Sequence, residues 1–211
     1  MKKYALILSF ALAACSSAQS SESTSKAAVE PASSSKAITL SGQTDTAIFA
    51  GGCFWCVESD FEHLPGVIEA VSGYSGGDLR YPTYRNHGEH VEVAQITFDP
   101  TIVSYDELLD FYWRHIDPTD PHGQFCDKGH SYISVIYARP DQIDAARASK
   151  AEVIKTKPFS APIVTEVLPA KDFWVAEDYH QDYYKKNPLR YKGYRKACGR
   201  DARVKELWGA K

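Results

Sequence analysis

The chain lacks most of the features that would place it in a simple class. Its formal charge is only −3, with 24 Lys/Arg against 27 Asp/Glu, so no strong positive field invites a phosphate backbone and nucleic-acid binding is not expected. No apolar run reaches the roughly 20 residues that a membrane-spanning helix needs, and the stretch from Tyr4 to Ala14 stops well short. No internal repeat is visible. There is one C-x-x-C, no second one and no paired histidine spacing, which leaves a closed zinc site without ligands at the usual intervals. Cysteines number five in 211 residues, and a domain of this size needs no disulfide staples to fold. The few cysteines therefore point to chemistry more than to scaffolding.

At the N-terminus, Lys2 and Lys3 precede the short apolar stretch, which ends Leu12-Ala13-Ala14-Cys15. This resembles the lipobox of bacterial lipoprotein signal peptides. The resemblance implies that residues 1–14 are removed and that Cys15 carries lipid, making the protein exported and membrane-anchored. Ser16-Ser17, with no aspartate beside Cys15, implies the periplasmic side and the outer membrane if the host has two membranes. Residues 15–43 are Ser/Ala-rich with almost no large apolar side chains, too little to offset the entropy of ordering, and read as a flexible tether. Setting Cys15 aside leaves Cys53, Cys56, Cys126 and Cys198 in a single domain over residues 44–211.

Within that domain, Thr46–Ala50 reads as a strand, Gly51-Gly52 as a tight turn, and Cys53 as the first position of a helix running through Leu64. Val67–Val71 and Val91–Phe98 read as strands, separated by a Gly/Tyr-rich loop over 72–90. Ser104-x-x-Glu107 is a capping box opening a helix to about Ile116. A second long loop covers Asp117–His130. Tyr132–Tyr137 and Ile163–Leu168 read as strands, Asp141–Lys155 and Trp174–Lys186 as helices. From Lys185 onward bases outnumber acids ten to two, which reads as solvated surface. The order predicts an α+β fold, a mixed sheet with helices packed on it and a ferredoxin-like β-α-β-β-α-β core with extra irregular loops.

The chemistry centres on Gly51-Gly52-Cys53-Phe54-Trp55-Cys56. A cysteine at a helix start should have a lowered pKa and be partly thiolate, hence nucleophilic. Glu92 shares a strand face with Ala94, Ile96 and Phe98, so burial should raise its pKa and keep it protonated for donation.

The same hexapeptide is similar to the signature of the type A peptide methionine sulfoxide reductases. Further stretches match that family in order: Gly73-Tyr74-Ser75-Gly76-Gly77, Pro82-Thr83-Tyr84, the Glu92 strand, Asp117-Pro118-Thr119-Asp120, Gln124-Phe125-x-Asp127, Tyr132 and Ala176-Glu177-Asp178-Tyr179-His180-Gln181. The resemblance spans about Thr46 to Pro188. It implies an α+β enzyme that reduces the S epimer of methionine sulfoxide, free or in proteins, and so repairs oxidised exported proteins. Cys53 would attack the sulfoxide sulfur and become a sulfenic acid, which a second thiol converts to a disulfide. A thioredoxin-like protein would reduce that disulfide. Glu92 would supply the proton, and Tyr84 and Tyr132 would bond the sulfoxide oxygen. Asp127 would orient water or a tyrosine, while Phe54 and Trp55 cradle the methyl group and sulfur. No metal and no organic cofactor is expected, and the protein should be a monomer.

For the resolving thiol, Cys198 is preferred over Cys56, with Cys126 a third candidate. Its surroundings, Tyr194-Arg195-Lys196-Ala197-Cys198-Gly199-Arg200-Asp201, depart from the family's Gly-rich tail. Two thiols three residues apart inside one helix would not meet without unwinding a turn. Two rival readings remain: a thioredoxin-like oxidoreductase built on Cys53 and Cys56, and a zinc or interaction module using Cys53, Cys56, Cys126 and nearby histidines.

Overall fold

A computed structural model of the chain describes residues 42–209. The expected signal peptide, Cys15 and nearly all of the tether lie outside the described residues. Strand β1 (Asp45–Gly51) leads into α1 (Phe54–Glu62), β2 (Val67–Ser75), β3 (Val91–Phe98) and α2 (Tyr105–Trp113). Two short strands, β4 (Gly123–Gln124) and β5 (Asp127–Lys128), form a hairpin, and a 3-10 turn over His130–Tyr132 precedes β6 (Ser134–Ala138). Then come α3 (Ile143–Thr156), β7 (Glu166–Pro169) and β8 (Trp174–Val175). The chain closes with α4 (Tyr183–Lys186), α5 (Pro188–Ala197) and α6 (Arg200–Trp208).

The fold is α+β, as the sequence leads one to expect. The main sheet has the order β7-β6-β1-β3-β2-β8. Its central four strands, β6-β1-β3-β2, are antiparallel at every pairing, which is the arrangement of a ferredoxin-like core. β7 adds parallel to β6 and β8 antiparallel to β2.

Alternation along the strands decides what each face buries. Ala47, Phe49, Ala94, Ile96, Phe98 and Ile136 form one apolar surface, against which α1, α2 and α3 set Val57, Phe61, Leu108, Leu109, Tyr112, Trp113, Ala146 and Val153. Phe49 stacks on Phe61 and Tyr112 with ring centroids 5.1 and 5.0 Å away. The opposite face carries Ala50, Val91, Val93, Val135 and Tyr137 under the partly buried Leu168, Ala170 and Phe173. The capping box at Ser104 forms as expected, its hydroxyl accepting from Glu107 N–H and the Glu107 carboxylate from Ser104 N–H.

Four local expectations fail. β2 continues to Ser75 because Ser72–Ser75 pair with Ala94–Val91, and its polar groups are satisfied: Ser72 N–H donates to Gln181 and Ser72 Oγ to Glu58. Tyr132 lies in the 3-10 turn, not in a strand. Trp174–Lys186 is not one helix. Trp174 and Val175 pair with β2, and the Gln181 amide donates to the Ser72 and Ala176 carbonyls, so tertiary bonds displace helical ones until Tyr183. The basic C-terminal stretch is likewise helical and partly inward-facing rather than wholly solvated, with Arg200 only 3% exposed.

Removing the Phe49 ring should cost about 3–5 kcal/mol, since its site is fully enclosed and cannot collapse. Urea unfolding of Phe49→Ala with an unchanged denaturant slope tests this.

Candidate active site

The site sits at the sheet end where β1 stops and β3 and β6 begin. Gly51 pairs with Ser134, and the register that sets Phe49 opposite Ala94 brings Glu92 level with Gly51. Gly52 makes the turn with φ +85°, where a Cβ would lie 2.6 Å from the Cβ of buried Gln124. Only glycine fits there. Cys53 follows as the helix N-cap, with φ −49° and ψ 119°, and α1 starts one residue later than expected.

That shift matters for both thiols. Cys53 stands outside the helix and Cys56 is its third residue, a pair of positions whose side chains approach each other in ordinary capping. Both thiols are free and buried, at 7% and 2% exposure, and lie against each other. The objection that two thiols of one helix cannot meet therefore does not apply. The preference for Cys198 encounters a bond instead: Cys198 is joined to Cys126 in a disulfide. Its sulfur is 3.9 Å from Asp127 Oδ2, one side chain away from the Cys53 pocket.

Cys53, Phe54, Trp55, Tyr84, Glu92, Asp127, Tyr132 and Tyr194 line a cavity of about 80 Å³. The seven residues nominated for attack, proton transfer and substrate binding are thus brought to one place. Glu92, 2% exposed, accepts the Phe54 N–H at 3.0 Å and so satisfies a donor that the helix itself leaves unpaired. Burial raises its pKa to about 8, Asp127 and Cys56 push the same way, and the Phe54 bond opposes. The carboxyl is therefore a proton donor at neutral pH. Burial also raises Asp127, against the pull of the Tyr194 hydroxyl, which donates to Oδ2 at 2.5 Å. Tyr132 is raised by burial, with Glu92 adding, and stays a neutral donor next to the Tyr84 hydroxyl.

The expected lowering of the Cys53 pKa does not occur. Burial pushes this thiol up, and Cys56 and Glu92 add to the rise. It is Cys56 that is lowered, first by the hydrogen bond from Cys53 and then, against burial, by Arg200 and Arg195. The helix end is there, but a buried thiol among acidic groups loses more from desolvation than it gains from the dipole.

Several contributors carry no obvious signal in the sequence. Tyr194, from the atypical tail, touches both Asp127 and the Cys53 sulfur. Glu177 accepts from Tyr84 N–H at 2.9 Å and Tyr74 hydroxyl at 3.1 Å, and so fixes the loop that carries Tyr84. His180 accepts from Trp55 Nε1 at 3.0 Å, holding the indole that also stacks on Tyr183. Glu177 and His180 belong to a recognisable motif, but only the fold reveals what they hold.

A family model described as peptide methionine sulfoxide reductase matches residues 45–211. A Vibrio cholerae protein described as peptide methionine sulfoxide reductase MsrA/MsrB is 50% identical over 169 residues, which are 78% of this chain and 45% of that protein. The chain thus spans less than half the length of that relative. Peptide methionine sulfoxide reductase MsrA 2 of Rhizobium meliloti is 53% identical over 166 residues, 77% of this chain and 83% of that one. Among solved structures, methionine sulfoxide reductase A of Corynebacterium diphtheriae matches with a TM-score of 0.65 at 36% identity, covering 70% of this chain and 78% of that one.

The raised Glu92 pKa has a consequence for stability. Between its ordinary value of 4.5 and about 8, the folded protein holds a proton that the unfolded chain has released. The stability this group contributes is complete below 4.5 and is lost as pH rises through 8. Glu92→Gln keeps an acceptor for Phe54 N–H and removes the titration. Thermal unfolding should find the variant equal to wild type near pH 4 and more stable at pH 8 by on the order of a few kcal/mol, while activity is lost.

Proposed function

The chain belongs to the peptide methionine sulfoxide reductase family, and on that footing we propose that it reduces methionine-S-sulfoxide, free and in proteins, to methionine. One observation carries the reading: a buried thiol, a carboxyl protonated at neutral pH and two tyrosines line a single cavity small enough to take only the end of a side chain. In this reading Phe54 and Trp55 hold the methyl group, and Tyr84 and Tyr132 bond the sulfoxide oxygen. Glu92 protonates that oxygen as the Cys53 sulfur attacks, since oxide is too poor a leaving group to depart unaided. The oxygen passes to Cys53 as a sulfenic acid and methionine departs. The proton that Cys53 gives up returns to Glu92. Asp127 and Tyr194 hold the hydroxyl network on the other side of the sulfur.

Cys56 then attacks the Cys53 sulfur, a disulfide forms and the oxygen leaves as water. Contact between the two free thiols supports Cys56 as the resolving residue, reversing the order read from the sequence. Cys198 could serve only after its bond to Cys126 is reduced. A thioredoxin-like dithiol restores the Cys53–Cys56 pair, completing a two-electron cycle without metal or organic cofactor. The N-terminal lipobox supports export and anchoring through Cys15, with oxidised exported proteins as substrates and a membrane-linked thiol relay as electron source. Among the described residues no helix is long and apolar enough to cross a membrane.

Cys53→Ser should abolish reduction of a methionine-S-sulfoxide peptide with any reductant; turnover surviving that change refutes the mechanism. Cys56→Ser should still turn over with dithiothreitol, which reduces the sulfenic acid directly, and stall with thioredoxin, whereas Cys198→Ser cycles with both. For the anchor, Cys15→Ser should move the protein from the membrane fraction to the soluble one, as read by fractionation and blotting.

A further inference from the structure

Exposed apolar side chains gather beside the mouth of the cavity. Leu79, Tyr81, Tyr84, Val175 and Tyr179 are all exposed, and they sit on two segments, 79–84 and 175–179. The bond from Tyr84 N–H to Glu177 ties these segments together. The Tyr81 ring, 74% exposed, meets Trp174 edge-on with centroids 5.0 Å apart, and Trp174 packs in turn on the cluster of Phe54 and Tyr74. Tyr179, 59% exposed, has its ring 4.2 Å from that of His180. The same His180 ring lies 4.7 Å from Tyr84 and 4.8 Å from Phe54, both of which line the cavity. Aromatic surface therefore runs from the cavity wall outward to Tyr81 and to Tyr179. Contiguous exposed apolar surface of this kind marks a place where something binds.

The patch is fixed in place by its own framework. Tyr81 takes a left-handed φ of +57°, a conformation that costs a bulky residue energy and is kept mainly where function uses it. The Leu79 carbonyl accepts from the buried His90 Nε2 at 2.8 Å, and Thr83 and Asn86 exchange backbone bonds at 3.0 and 2.9 Å. A surface ordered in advance loses little entropy when it is covered. The cavity supplies the occupant. At about 80 Å³ it admits the end of one side chain, so the backbone and the neighbouring residues of a substrate polypeptide stay outside. Tyr84 is both cavity wall and exposed rim, which sets those neighbours over the patch.

We propose that Tyr81 and Tyr179 are specificity-determining residues, their exposed rings forming a docking surface for apolar side chains next to methionine sulfoxide in an extended polypeptide segment. This deepens the reductase reading and rests on it. Continuity with the cavity selects this occupant, since the patch shares Tyr84 with the place where the sulfoxide binds. Free methionine sulfoxide has no neighbouring side chains and gains nothing from the patch. A polypeptide with aromatic neighbours gains ring contacts on one or both tyrosines.

The test uses the full chain with dithiothreitol and three substrates. One is the N-acetyl amide of methionine-S-sulfoxide; the others are heptapeptides with that residue at the centre, flanked on both sides by phenylalanine or by serine. Wild type should turn over the phenylalanine peptide with kcat/KM about tenfold above the serine peptide. Tyr179→Ala and Tyr81→Asn, the latter a residue that tolerates the left-handed backbone, should each raise KM for the phenylalanine peptide about fivefold with kcat kept. Both variants should leave the amide and the serine peptide within about twofold of wild type. Equal kcat/KM for the two peptides in wild type overturns the proposal without any variant, and so does a KM rise shared by all three substrates. A variant that instead raises KM for thioredoxin, or abolishes a dimer seen by light scattering, assigns the patch to the reductant or to a second copy and overturns it too. A wild-type protein that reduces none of the three substrates refutes the reductase reading itself, and the proposal with it.

Discussion

The hydrogen bond from Phe54 N–H to Glu92 joins the two halves of the chemistry. It links the first residue of α1, immediately after Cys53, to a carboxyl on the neighbouring strand. A helix start leaves N–H groups unpaired, and here one of them is answered from β3 instead of by a local cap, since Cys53 offers no side-chain cap of its own. This single contact sets the position of Glu92 relative to the Cys53 sulfur. It also lets the carboxyl be buried at all, because an unpartnered buried acid would be costlier still. Glu92 consequently has one foot in the hydrogen-bond framework and one in the cavity.

Around that contact the protein accumulates groups whose protonated forms burial favours. Glu92, Asp127, Tyr132 and Tyr194 are all pushed toward their protonated forms by desolvation, and the Cys53 thiol is too. Such a site destabilises the folded state and suits a reaction in which oxygen must be protonated as it is removed. Arg195 and Arg200 of the C-terminal helices pull the Cys56 thiol the other way. Helices that read as a solvated basic tail turn out to hold Arg195 and Arg200 against Asp60 and the Gly51 carbonyl.

Strand and helix placement was legible wherever side-chain periodicity had one dominant burial face, as in β1, β3, α2 and α3. It failed where tertiary hydrogen bonds replaced local ones. The Gln181 amide straps Ser72 and Ala176 and suppresses the helix expected from Trp174, and Ser72 pairs within β2 because Glu58 and Gln181 satisfy it. The pocket residues named by motif, from Phe54 to Tyr132, do converge. Tyr194 and Arg200 were not legible as site residues, because they lie about 140 residues from Cys53 along the chain and no local pattern distinguishes an inward arginine from a solvated one.

What the sequence by itself determined is the chemistry available: a glycine-backed cysteine before a helix, a carboxyl on an apolar strand face, and the tyrosines and aromatics of a recognisable family. These follow from local steric demands and from periodicity, both written in neighbouring residues. Only the tertiary structure decided which cysteines pair, joining Cys126 to Cys198 and leaving Cys53 against Cys56. It also decided that burial pushes the Cys53 thiol away from ionisation, because desolvation depends on packing across the fold. A helix end can be read from sequence, whereas the desolvation that outweighs it cannot.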